Sequence, residues 1–472
     1  MRQFILSLLL LACTTVAAAV SPSGTLPVMY IITANQQPVT SREQKLDATL
    51  YVTAHGQYPA LGSAANPLPI TIRGRGNWTW TGFDKKPYKI VFPKGQGQKL
   101  LNMPKHRHWA LLAEADDYLG FLKNTTGFSL SEHIGLPYTP RRVPVELVLN
   151  DEYQGLYFVT ETIRIDKDRV NIYEQEDNET NPDLITGGWL VEIDNYETEG
   201  NIVLYEHNDY QDRIMVTPQA PEVLSTDQRT YLTAQLNMLN DAIYNIGSQQ
   251  LEDILDLTDA AKFYLVQEIM TNRESYHGSC YLYKDRDSTA NPLTANPLTV
   301  IPKWHYGPVW DFGNSYDRMD ETFVYFNPPW RPQVWIEQLC QNETFAQRVQ
   351  QLWYQYRTQK HSKVLDDINT FVSTITQAAK RDAERWQGAQ NFRDNSDMPG
   401  RKQEFLSRMN ARLQWLYSQW GEGDPTPIPT GNEPVFTDPL HTSHPSRLLI
   451  VNGQLLIERD GRRYTLTGQL VE

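Results

Sequence analysis

Three short stretches of the sequence carry residue types that could handle phosphate and a divalent cation. Arg73-Gly-Arg75-Gly-Asn77 follows a run of β-formers and precedes Lys85-Lys-Pro-Tyr-Lys89. Glycines let backbone amides approach an anion closely, the arginines add charge, and a lysine projecting from the next strand can reach phosphates. A basic hairpin with a glycine turn is also a common structural feature, so this motif alone does not select the chemistry. The second stretch is Trp310-Asp311-Phe312-Gly313-Asn314. A carboxylate at a strand end followed by glycine suits Mg²⁺ bound to nucleotide phosphates. Asp-Phe-Gly is also the metal-binding trio of ordinary protein kinases, but neither a His-Arg-Asp loop nor a Val-Ala-Ile-Lys strand accompanies it. The third stretch runs from Gln267-Glu268 through Asn272, Glu274 and His277 to Lys284, a helix end entering a loop and a strand. A carboxylate there could orient or deprotonate a hydroxyl nucleophile. His277 could serve as a base, although a lone histidine beside glycine is more often a structural hydrogen-bonder. Glu192 and Asp194 offer either a further metal ligand or a solvated strand face.

These residues need a scaffold, and the apolar periodicities supply a β-rich first half and a helical second half. Short Val-, Ile- and Tyr-rich runs predict strands over Val28–Thr33, Leu46–Thr53, Pro69–Ile72 and Lys85–Phe92. Asp117–His133 has a helical apolar face, and the strands Val143–Leu149 and Leu156–Thr160 flank a hairpin turn over Asn150–Gly155. Gly188–Ile193 is a further strand. Beyond Pro221 the spacing predicts helices over Pro221–Tyr244, Asp259–Met270, Val334–Tyr356, Lys363–Trp386 and Lys402–Trp420. Strands at Cys280–Tyr283 and Val309–Phe312 interrupt them. The stripe Phe405, Met409, Leu413, Leu416, Trp420 is core packing. The pattern is that of an α+β domain of two lobes with a cleft between them.

In order and spacing, these pieces resemble the spore coat protein H (CotH) family of atypical kinases. The matching stretches are Arg73–Asn77 with Lys85–Lys89, Trp109-Ala-Leu-Leu-Ala113, Val145 to Tyr157, and Thr160-Glu161-Thr-Ile163. Gly187-Gly-Trp-Leu-Val-Glu-Ile-Asp194, Asn272 to Lys284 and Gly307-Pro-Val-Trp-Asp311-Phe complete the set, from about Leu26 to Trp420. The resemblance implies an atypical protein-kinase-like two-lobed α+β fold. It further implies binding of ATP with Mg²⁺ (or Mn²⁺) and phosphorylation of secreted or surface proteins on Ser or Thr. Lys89, with Arg73, Arg75 and Asn77, would hold the phosphates and Asp311 the metal. Glu161 to Ile163 looks like the hinge beside adenine. Glu274 stands where many members carry Asp, the candidate for orienting the acceptor hydroxyl. Its extra methylene displaces the carboxylate by roughly an ångström, which matters for rate. Lys123-Asn124 stands in place of the family's Arg-Asn pair, at a spacing one residue longer. Two other readings are a kinase-like module binding nucleotide or glycan without catalysis, with Trp78, Trp80, Trp330 and Trp335 available for stacking, and a structural surface protein.

The bulk properties set the context. Arg2, the apolar run Phe4–Ala12 and Ala17-Ala-Ala19 read as a secretory signal peptide over residues 1–19, with a lipoprotein-type cut before Cys13 as the alternative. The protein is therefore expected to be exported: secreted, periplasmic or on the cell surface. No later segment is apolar enough to span a membrane. The 472 residues carry a net charge of −13 with no basic tract, which argues against nucleic acid as a partner. After cleavage only Cys280 and Cys340 remain. They could close a ~60-residue loop worth roughly 3–4 kcal/mol, or stay as two buried thiols. Past the domain at 24–420, a Pro-rich linker is expected at 421–446. Residues 447–472 read as short strands turning at Asn452-Gly453 and Asp460-Gly461. This tail resembles those of exported Bacteroidetes proteins, some of which are sorting signals; a small stabilising β-flap is the other reading.

Overall fold

The computed structural model describes residues 20–209, 211–246, 250–290, 298–300, 302–326, 334–421, 447–451, 454–459, 462–465 and 470–471. Residues 1–19, most of the expected linker, Trp330 and the two expected tail turns lie outside the described residues.

Seven strands close into a barrel: β1 (Val28–Thr33), β2 (Leu46–Val52), β3 (Leu68–Gly74), β4 (Tyr88–Val91), β5 (His108–Leu112), β6 (Arg142–Leu149) and β7 (Glu152–Glu161). Their order is β1-β2-β3-β4-β5-β7-β6, and parallel pairing of β1 with β6 closes the ring. Alternation sends Ile31, Leu50, Ile72, Ile90, Leu111, Val145 and Val159 into a common interior. The β6–β7 turn is tighter than the sequence suggested. Asn150 and Asp151 take positive φ of 50° and 64°, which matches the twist of a two-residue hairpin, so β7 begins at Glu152. Gly155 then sits at a register shift with φ 94°, and a Cβ there would lie 2.1 Å from Asp382 Oδ1. That missing side chain lets Asp382 accept from the Leu156 amide at 2.8 Å and pair with buried Lys85 at 2.7 Å.

A short turn, α1 (Trp78–Thr81), joins β3 to β4, and α2 (Leu122–Ile134) follows β5. α2 starts later than its apolar spacing implied. Asp117 accepts from the Leu119 and Lys123 amides at 2.7 and 2.9 Å, and Phe121 is left-handed, so the preceding residues form a capping loop. A second sheet comprises β8 (Trp189–Ile193), β9 (Ile202–Tyr205), β10 (Arg213–Ala220), β11 (Cys280–Lys284) and, beyond the ribbon of β12 (Ser288–Ala290) and β13 (Leu298–Val300), β14 (Trp304–Tyr306). Its order is β14-β11-β8-β10-β9, antiparallel throughout. α3 (Thr226–Ile243), α4 (Leu251–Ile254) and α5 (Leu257–Met270) connect β10 to β11. α6 (Ile336–Cys340), α7 (Glu343–Gln355), α8 (His361–Trp386) and α9 (Met398–Trp420) complete the helical half, and β15 (Arg447–Val451), β16 (Gln454–Arg459) and β17 (Arg462–Thr465) form a separate three-stranded sheet.

The fold is α+β, with the β-rich first half and helical second half that the sequence predicted. Two further local expectations need correction, and one open alternative is decided. Val309–Phe312 is not a strand; the ladder is formed by β14, and the chain past Pro308 is irregular. The helix expected over Val334–Tyr356 is two helices, because Asn342 Oδ1 caps the Phe345 amide at 3.0 Å and starts a new one. Cys280 and Cys340 are both buried and both free thiols, so the disulfide alternative is not realised.

Candidate active site

The Arg73–Asn77 segment leaves the end of β3 and turns back through α1. Gly76 has φ 79°, and Trp80 lies flat on Gly74, where a Cβ would be 2.4 Å from the indole. This folded segment is the wall between two chambers. The first, of about 450 Å³, is cationic. Arg73 and Arg75 line it from the hairpin, Lys89 from β4, and Arg42 from the β1–β2 connection; Thr162, Ile163 and Arg164 line it just past β7. Arg42 donates to the Gly76 carbonyl and Asn77 Oδ1 at 2.8 and 2.7 Å, tying the hairpin down. Among the described residues Lys89, Arg73 and Arg75 make no ion pair. Burial pushes the Lys89 ammonium down to about 8, and Arg164 and Arg73 add repulsion. Arg42 pairs with Glu43 at 3.9 Å and Arg164 with Glu222 at 3.2 Å, which leaves Lys89, Arg73 and Arg75 as the cations outside an ion pair, a grouping suited to an anion.

The second chamber, of about 280 Å³, shares Arg75, Gly76, Asn77, Tyr281 and Trp310 with the first and is acidic. Asp116, Glu192, Asp194, Glu274 and Asp311 line it. Burial, then the charges of Asp311 and Asp117, hold Asp116 up at about 6. Burial, then Asp194, hold Glu192 up at about 7, opposed by hydrogen bonds from Tyr281 and Ser279. Asp194 is raised by burial and then by Asp311. Arg75 is the cation at the shared wall: its Cζ lies 5.7 Å from the Trp310 ring centroid, and Asp311 offsets part of its burial cost.

Asp311 is fixed by its backbone. Its carbonyl accepts from Asn272 Nδ2 at 3.0 Å, and the next amide, of Phe312, donates to Asn124 Oδ1 at 3.0 Å. Asn124 is held in turn by Glu114, which pairs with Arg142 at 2.7 Å. Phe312 is buried against Gly127 of α2, where a Cβ would meet the ring at 2.3 Å. These contacts hold Asp311 at φ 53°, a conformation costing a non-glycine residue about 1–2 kcal/mol. Glu274 faces the same chamber, and its Oε2 accepts from Asn314 Nδ2.

The structure thus brings Lys89, Arg73, Arg75, Asn77 and Ile163 together at one chamber and Glu274 and Asp311 at the other. Glu161 does not face either chamber. Its carboxylate is buried on the far side of the strand end, accepting from Tyr138 at 3.1 Å and the Arg141 amide at 3.0 Å and pairing with the Arg141 guanidinium at 3.1 Å. His277 is buried and lines neither chamber. Of the aromatics considered for stacking, Trp78 is 62% exposed at the chamber rim, whereas Trp335 is buried. Sequence reasoning missed Arg42, Arg164 and Asp116. The first two carry no local signature, and Asp116 is masked by Asp117, the cap beside it. A separate group, Asp256, Asp259 and His305, also has cation-ligand spacing, but Lys262 already pairs with Asp259 at 2.9 Å.

A cationic chamber joined through a glycine hairpin to a carboxylate chamber is an arrangement with room and charge for a polyphosphate beside a divalent cation. The CotH kinase protein family matches residues 72–416, from β3 into α9, and the chain belongs to that family. No curated protein matches the chain. The acidic chamber offers hard oxygen donors of the kind the divalent cation implied by the family takes, the carboxylates of Asp116 and Asp311 among them, with Arg75 as the nearby cation. Among the described residues no helix is long and apolar enough to cross a membrane.

Proposed function

We propose that the protein is an exported protein kinase that transfers the γ-phosphate of ATP to Ser or Thr hydroxyls of secreted or surface proteins. The observation that carries this reading is the shared wall: Arg75, Gly76 and Asn77 border both the cationic chamber and the chamber holding Asp311 and Glu274. In this reading the barrel and the second sheet with its helices act as two lobes, and residues 1–19 direct export. The backbone at Thr162 and Ile163 borders the base, while the Glu161 side chain only braces it. Lys89, Arg73 and Arg75 bind the phosphate oxygens and draw charge from the bridging oxygen that leaves. A divalent cation on Asp311 would supply further neutralisation of the phosphates. Glu274 orients the acceptor hydroxyl and takes its proton as the bond to phosphorus forms.

A second reading has one observation in its favour. Glu274 is engaged by Asn314, so the scaffold could hold nucleotide without turnover. One experiment separates the two: incubation of the mature protein with labelled ATP, Mg²⁺ or Mn²⁺ and a Ser/Thr-containing acceptor, beside a melting-temperature titration with ATP. Label on protein that is lost in Asp311→Ala supports the kinase. A melting shift without label supports the binding module, and absence of both overturns the two together.

A further inference from the structure

We propose that Asp116 is a second carboxylate ligand of the divalent cation assigned to Asp311, so that the cation sits over Gly313 between two separate loops. This rests on the kinase reading and adds to it a residue outside the Asp-Phe-Gly segment. Asp116 comes from the β5–α2 connection and Asp311 from the segment after β14, nearly two hundred positions later. The fold brings them face to face across one glycine. A Cβ built on Gly313 would lie 2.8 Å from Asp116 Oδ2 and 3.4 Å from Asp311 Oδ1. The two oxygens therefore converge on a space that only a glycine at 313 leaves open.

The neighbouring charges have other tasks. Asp117 caps the start of α2 through the Leu119 and Lys123 amides. Glu114 is bound by Arg142 and Asn124. The Lys123 ammonium is bonded to the Gly313 carbonyl at 2.7 Å and to Asp317 at 2.5 Å, and its charge only partly offsets the burial of Asp116. Among the described residues Asp116 makes no ion pair and accepts no side-chain hydrogen bond, yet it is half-buried in the chamber wall. Two like charges held this close, without a cation between them, repel. A nucleotide-bound Mg²⁺ or Mn²⁺ takes one or two carboxylates, completing its shell with phosphate oxygens and water. Asp116 and Asp311 supply that number, and the backbone clamp on Asp311 sets one of them in advance.

The test is a Mn²⁺ titration followed by electron paramagnetic resonance, with a non-hydrolysable ATP analogue present. Asp116→Asn should weaken Mn²⁺ binding roughly tenfold or more, while affinity for the analogue in chelator stays within about twofold of wild type. Gly313→Ala leaves every charge in place but puts a methyl against Asp116, and should weaken Mn²⁺ in the same direction. If Asp116→Asn does not fold, Gly313→Ala and Asp116→Glu carry the test through the same titration. Wild-type Mn²⁺ affinity in folded Asp116→Asn, or in Gly313→Ala and Asp116→Glu together, overturns the assignment and leaves the kinase reading standing. Wild-type protein that binds neither Mn²⁺ nor the analogue overturns that reading as well.

Discussion

Lys89 is the residue whose chemistry is most exposed to a simple measurement. In the free protein burial holds its pKa down at about 8, and a bound phosphate favours the charged form. Nucleotide affinity is therefore full below about pH 8 and falls as the pH rises through it, by up to about tenfold per unit. Lys89→Met should weaken ATP binding at neutral pH and abolish this alkaline limb in a calorimetric titration; a limb that persists would belong to another group. The carboxylates of the second chamber give the opposite slope. Asp116 is held up at about 6 by burial and by Asp311, so a cation bound to it must displace its proton. Mn²⁺ affinity should rise from about pH 5 and level off near pH 7, and Asp116→Asn should flatten that rise. Both sets of groups are in their binding-competent states only between the two limbs, near pH 7 to 8. At this scale the sequence was informative where a motif spans adjacent positions. Arg73, Arg75, Asn77 and Asp311 announce themselves, whereas Asp116 and Arg164 owe their place to the fold.

The elements earn their role by holding one loop still. α2 presents Gly127 to the Phe312 ring and Asn124 to the Phe312 amide, so the helix sets the direction of Asp311. In an open helix, Gly127→Ala would gain up to about 1 kcal/mol of helix propensity. Here the new methyl meets the ring, so the variant should lower the melting temperature and reduce phosphate transfer. A stabilised, fully active variant would remove α2 from the account. Asn124→Ala should cost about 1–3 kcal/mol by stranding the Phe312 amide, and transfer should fall further than ATP affinity in the same protein. β1 was legible to the residue because its apolar run ends at turn-forming neighbours. β9 and β10 were not predicted: Ile202–Tyr205 is only four residues long, and Arg213–Ala220 mixes polar residues with a proline. The segment containing Asp311 misled for the opposite reason. Val309–Phe312 has strand composition, but Phe312 is apolar in order to anchor a left-handed loop, not to pair in a sheet.

For the molecule as a whole, two buried ion pairs tie distant parts of the chain together. Lys85 between β3 and β4 pairs with Asp382 of α8, and Glu268 of α5 pairs with Arg412 of α9. Neither pairing can be read from sequence, because separations of this size leave no periodic trace. Asp382→Ala leaves Lys85 buried and unpaired and should cost about 3–5 kcal/mol in urea unfolding. A change below about 1 kcal/mol would mean that the ammonium reaches water. Because Cys280 and Cys340 are free thiols, reductant should leave the melting temperature unchanged. γ-Phosphoryl transfer at two chambers sharing one wall is the proposal on which the site roles depend. It is tested most directly by running γ-labelled and α-labelled ATP in parallel with wild-type and Asp311→Ala protein, Mn²⁺ and an acceptor. Label should reach protein from the γ position alone and be absent in the variant. Label arriving from the α position, or γ-label undiminished in Asp311→Ala, would contradict the proposal.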